Sequence, residues 1–129
     1  MIQTAGIQRT FRGSRMCVEI TIPTGQPFTD IIDLEGGVVA AAHVPAGFVG
    51  NQILFAGGIN PNDVHTLYYQ NGVQVVATIS VVPCYIVSDA ATQWMRGVRY
   101  LRLTAATNGA AETQAADVVL QLAVVDSTV

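Results

Sequence analysis

Two stretches of strict alternation constrain this chain most. Met16, Val18, Ile20 and Ile22 are apolar at every second position, with Cys17, Glu19 and Thr21 between them. Near the far end Val118, Leu120, Leu122 and Val124 repeat the pattern around Asp117, Gln121 and Ala123. A period of two puts alternate side chains on opposite faces of a strand, so each stretch reads as a strand with one face in a core and one outside it. A helix would smear both sets around its circumference. Residues 23–116 separate the two patterns, and the sequence between them must supply the rest of the sheet structure.

It does so in short pieces punctuated by turn formers. Phe28 to Leu34 precedes Glu35-Gly36-Gly37, and Val38 to Val44 alternates again, with Val38, Ala40, Ala42 and Val44 expected on one side. Pro45-Ala46-Gly47 ends that run. Gln52 to Ile59 is a further apolar strand in which Gly57-Gly58 marks a bulge or the start of a loop. Thr66 to Tyr69 and Val73 to Ile79 flank Asn71-Gly72. That dipeptide is the strongest hairpin signal in the chain, because a type I′ turn needs positive φ at both central residues. Tyr85 to Val87, Val98 to Thr104 and Gln114 to Val125 complete the strands, with Ala105 to Thr113 a small-residue loop around Asn108-Gly109. The single helix expected is one or two turns over Asp89 to Met95, capped by Ser88 or Asp89 and stopped by Gly97. About eight strands, one short helix and no internal repeat read as an all-β, jelly-roll-like antiparallel sandwich.

With 129 residues the chain has room for one core. Residues 16–129 are expected to hold it, and residues 1–15 to form an extended arm that needs a surface to lie on. The charges divide along the same line. Arg9, Arg12 and Arg15 make the arm +3 with no acid, whereas three arginines against nine acids leave the remainder at −6, and there is no lysine. An acidic body argues against a nucleic-acid partner, which needs a concentrated basic surface. Only 12% of residues are charged while 50% are hydrophobic, against roughly 25% charged in ordinary soluble domains. Such a surface is expected to be covered by copies of the chain or by a partner. No apolar run reaches the roughly 20 residues of a membrane-spanning helix, and none reads as a secretory signal.

Chemistry-bearing residues are sparse. Cys17 and Cys84 follow no metal spacing and are expected to be buried thiols, a disulfide being the alternative. His43 and His65 lack the partners of a zinc site, although Asp63 and His65 would share a strand face. Asp30, Asp33 and Glu35 surround one turn, where solvated carboxylates are expected and a weak oxygen-ligand cation site is the alternative. Arg96, Arg99 and Arg102 would form a stripe on a helix; on a strand Arg99 and Arg102 take opposite faces, as befits ion pairs and edge packing. No catalytic residue, metal or cofactor is expected. The residues expected to touch a partner are Arg9, Phe11, Arg12 and Arg15. Trp94 and Tyr68, with Tyr69, could offer a platform to a glycan, against structural roles as a core anchor and a cross-strand pair.

The string Ile32-Asp33-Leu34-Glu35-Gly36-Gly37, then His43-Val44-Pro45-Ala46-Gly47-Phe48 and Gln52-Ile53-Leu54-Phe55, resembles a group of small structural proteins of tailed phages and prophages. Tyr69-Gln70-Asn71-Gly72, Arg96-Gly97-Val98-Arg99-Tyr100-Leu101-Arg102-Leu103 and Gln114-Ala115-Ala116-Asp117 follow in the same order, so that the resemblance covers roughly residues 28–125. It implies a virion component made in the bacterial host cytoplasm: a head decoration or cement protein, or the base of a head fibre or tail attachment. The partner it implies is the major capsid protein or another virion protein. A homo-oligomer, first of all a trimer, is expected. The Arg-Tyr-Leu-Arg-Leu stretch is also similar to one in discoidin-type, galactose-binding-like jelly rolls, which implies the second reading, a carbohydrate-binding module on a fibre or tail.

Overall fold

A computed structural model describes residues 7–12, 15–87 and 98–126. They form eleven strands, β1 Ile7–Arg12, β2 Arg15–Ile22, β3 Ile32–Asp33, β4 Gly37–Val44, β5 Gln52–Gly58, β6 His65–Thr66, β7 Val76–Thr78, β8 Cys84–Val87, β9 Tyr100–Thr107, β10 Ala110–Ala111 and β11 Val118–Asp126. Among the described residues there is no helix. The helix expected over Asp89 to Met95 lies outside them.

The strands make two antiparallel sheets. One has the order β1-β2-β11-β4-β8; the other runs β10-β9-β5-β6, with β3 added on β9 and β7 on β5. The two alternating stretches are neighbours, β2 and β11, paired from Ile22↔Val118 to Arg15↔Val125. Their apolar positions form one continuous surface. Val18, Ile20, Ile22, Val118, Leu120 and Leu122 are all at most 2% exposed, and they pack on Ile53, Leu101 and Leu103 of the opposite sheet. The core is therefore the filling between two facing sheets, a sandwich-like arrangement in which each buried aliphatic side chain contributes about 1.5–3 kcal/mol of burial.

Four local expectations are corrected. In β4 the outward and inward sets exchange partway along. Ala41 is opposite Ala123 but Val39 is opposite Val124, so Ala40 is an extra residue, a β-bulge. Ala42 and Val44 face the core as expected, but beyond the bulge it is Gly37 and Val39 that turn inward, not Val38 and Ala40. Gly37 is required there, because a Cβ would collide with the Val124 side chain.

The two Asn-Gly turns also trade roles. At Asn71-Gly72 only the glycine has positive φ (+85°); Gly72 N–H donates to Tyr69 O at 2.9 Å and Tyr69 N–H to Val73 O at 2.7 Å. This is a three-residue loop with a glycine bulge. Asn108 and Gly109 have φ of 51° and 85°, and they join β9 to β10 with Thr107 opposite Ala110. The two-residue type I′ hairpin is therefore there, inside the stretch expected to be a loop. Gly57-Gly58 is not a bulge: Gly57 and Gly58 stay in register with Leu101 and Tyr100, and Gly58 closes β5 where the loop from Ile59 begins. Both are needed because other chain segments come close, Val98 over Gly57 and the Asp63 carbonyl over Gly58.

The last correction concerns the N-terminal segment. Residues 7–12 are extended, as expected of an arm, yet they are zipped to the body's first strand as a hairpin, from Ile7↔Ile20 to Arg12↔Arg15. Ile7 is 1% exposed, in the same core cluster as Val18 and Ile20.

Candidate interaction surface

The β1–β2 hairpin carries the cations expected to meet a partner. Register separates them: Arg9 is opposite Val18 and Phe11 opposite Met16, sharing the strand parity of Ile7, whereas Arg12 is opposite Arg15 at the hairpin end. β1 is the last strand of its sheet, so Arg9 and Arg12 are carried on an edge strand and Arg15 on the strand beside it.

Beside it spreads the outer face of the five-stranded sheet. Cys17, Ala123, Ala41 and Val87 stand side by side across four strands, and Glu19, Gln121, His43 and Tyr85 form the next row. His43 and Tyr85 are in tilted contact, with ring centroids 4.8 Å apart. Tyr85 is 74% and Val87 75% exposed. Cys17 is exposed and Cys84 half-buried, both as free thiols. Cys17 thus corrects the expectation of burial, because it occupies the outward parity of β2. Among the described side chains on this face, Glu19 alone carries a fixed charge. The alternation gave the face away in part; the bulge at Ala40 and the joining of β8 to β4 are long-range features that no local pattern announces.

The other expected sites are scattered. Arg99 binds Asp33 with two near-parallel hydrogen bonds, Nε to Oδ1 at 3.1 Å and an Nη to Oδ2 at 3.2 Å, which agrees with the ion-pair reading. The hydrogen bonds and charge of Asp33 raise the pKa of Arg99 above its ordinary value. Asp33 also accepts the Glu35 N–H at 2.9 Å, so its oxygens are committed to the turn. Arg102 lies over the Phe28 ring, 4.8 Å from its centroid. Asp63 and His65 do meet, at 2.6 Å, on an exposed strand end. Among the described residues no three His, Cys, Asp or Glu side chains gather as a metal site, and no helix is long and apolar enough to cross a membrane.

Tyr68 is 55% exposed beside the three-residue hairpin loop, while Tyr69 packs against the core. Trp94 and Arg96 lie outside the described residues. A cavity of about 310 Å³ opens between the sheets at the β8 and β7 side, lined by Val39, Ala42, Phe55, Val75, Ile86 and neighbours. Its lining is apolar apart from Tyr69 and Thr78, which suits an apolar group better than a polar one.

Sequence reading missed three polar anchors. Gln114, 2% exposed, accepts the Val49 N–H at 2.9 Å and donates to Val49 O at 2.8 Å and Glu112 O at 3.1 Å. Asn51 and Gln52 brace the type I′ hairpin: Asn108 N–H donates to Asn51 Oδ1 at 3.0 Å, and Gly109 N–H to Gln52 Oε1 at 2.7 Å. An amide flanked by small residues carries no local signal for either role. Compared with known proteins, the chain matches no family model, no curated protein and no solved structure.

Proposed function

We propose that this protein is a non-enzymatic structural component of a tailed-phage virion, a decoration or cement protein that self-associates and binds the head surface. Its partner is then the major capsid protein or another virion protein. The observation that carries the reading is the placement of Arg9, Arg12 and Arg15 on an edge hairpin of a body whose remaining charge is negative. A cationic edge gives a defined contact to an acidic neighbour, and arginine suits fixed, bidentate pairing with carboxylates. The order of the strands supports a jelly roll: β2-β11-β4-β8 faces β3-β9-β5 with β6 and β7, β2 pairs the last strand β11, and β1 is appended outside β2. Jelly rolls recur in viral capsid proteins and in lectins, an analogy of fold that raises both readings. Tyr68, exposed beside a hairpin loop, is the observation that favours the second of these, glycan binding on a fibre or tail.

The test is cosedimentation with heads of the encoding phage that lack the protein. Deleting residues 1–15 would strip a strand from the sheet, so the charge itself is reversed instead, with Arg12→Glu plus Arg15→Glu. At low salt the variant is expected to bind at least about tenfold more weakly, and wild-type binding to weaken as salt shortens the screening length. Equal, salt-independent binding by both proteins would overturn the reading.

A further inference from the structure

We propose that the outer face of the five-stranded sheet is a self-association surface, covered by the same face of a second copy of this chain. The inference deepens the proposed function, from which it takes self-association, and it replaces the three-fold contact expected from sequence with a two-fold one.

Size is the first argument. Five strands of six, eight, nine, eight and four residues, spaced about 4.8 Å apart and rising about 3.3 Å per residue, span roughly 500–600 Å². Two such faces together bury roughly 1,000–1,200 Å², at the lower end of what specific protein interfaces use. A single linear peptide or a small ligand would leave most of it uncovered.

Charge is the second. Interface centres are depleted in charged side chains and enriched in aromatic ones; among the described side chains here, Glu19 alone has a fixed charge, and Tyr85 and His43 form an aromatic pair. Arg12 and Arg15 share the strand parity of Cys17 at the hairpin end, so the uncharged part of the face is its centre, the row Cys17, Ala123, Ala41 and Val87. The acidic remainder of the protein repels copies elsewhere, which favours meeting at that uncharged row.

Shape is the third. β11 is the middle strand of the five. Any two-fold axis lying in the plane between two such sheets and passing through their centres lays β11 on β11. The residue near that centre is Ala123, with Ala41 and Cys17 on either side of it. Small side chains there let the sheets close to the spacing of about 10 Å usual between stacked sheets, while Tyr85 and Val87 project at the β8 margin.

Sedimentation velocity of the full chain, from about 1 to about 100 µM, tests this without phage heads, so it fails independently of head binding. Wild type is expected to be a dimer or an even multiple of it. Ala123→Arg, and separately the strongly exposed margin substitution Val87→Arg, are expected to raise the dissociation constant at least about tenfold. Val73→Arg, at an exposed position on the other sheet's hairpin, should leave it unchanged. Far-UV circular dichroism and thermal melting establish that each variant is folded, and Val87→Arg decides if Ala123→Arg is not. A monomeric wild type at the highest concentration, or an oligomer that survives the folded face variants, would overturn the proposal.

Discussion

Asp117 shows how much a single exposed carboxylate can organise. It accepts the Thr24 N–H at 2.8 Å and the Thr24 hydroxyl at 2.9 Å, and so ties the end of β2 to the start of β11 where their pairing begins. These two hydrogen bonds, the backbone one first, hold its pKa below the usual aspartate range. A depressed folded-state pKa stabilises above the unfolded value of about 3.9 and the benefit is lost as pH falls through the folded one. Denaturant titrations should therefore find Asp117→Ala less stable than wild type at neutral pH, with the gap closing under strongly acid conditions; a gap independent of pH would count against this role. Gln114 acts by burial instead. Gln114→Ala leaves the Val49 N–H without its side-chain acceptor in a part-buried site, and a loss of about 1–3 kcal/mol is expected in the same titrations. The Arg99–Asp33 pair, though well formed, is solvent-accessible on the arginine side, so its removal should change stability little.

At the level of elements, legibility followed the range of the interaction that decides each one. β2 and β11 were readable because burial on one face is written into alternate residues, and every apolar position singled out in them is in the core. The inversion in β4 was not, since Ala40 is a bulge only by virtue of its partner strand. Turn chemistry was read correctly but assigned to the wrong turn. Asn108-Gly109 is held in the two-residue form by Gln52 of β5 and by Asn51 just before it, while Asn71-Gly72 relaxes into the longer loop. A substitution distinguishes this from a free loop. Nothing lies within 4 Å of a Cβ placed on Gly109, so Gly109→Ala meets only the conformational penalty of positive φ. It should lower stability by about 1–2 kcal/mol in thermal or chemical unfolding. No change would mean that the turn is not held in this conformation.

For the whole molecule, the two proposed contacts draw on different parts of one sheet, the uncharged row through Ala123 and the arginines of the β1–β2 hairpin. The arginines were legible as charge, and their attachment to a hairpin at the edge of that sheet was not, because arm and hairpin differ only in whether residues 7–12 find a partner. Pairing with β2 changes the mechanism: a contact made by a hairpin is pre-organised, and it loses less conformational freedom on binding than a loose arm would. The partner surface is accordingly expected to be acidic and fixed in position. The central claim is the proposed place on a phage head, and its most direct measurement is electron cryomicroscopy of phage particles made with and without this reading frame. The account predicts density of one or more small β domains on the head surface of the first that is missing from the second, and indistinguishable heads would contradict it.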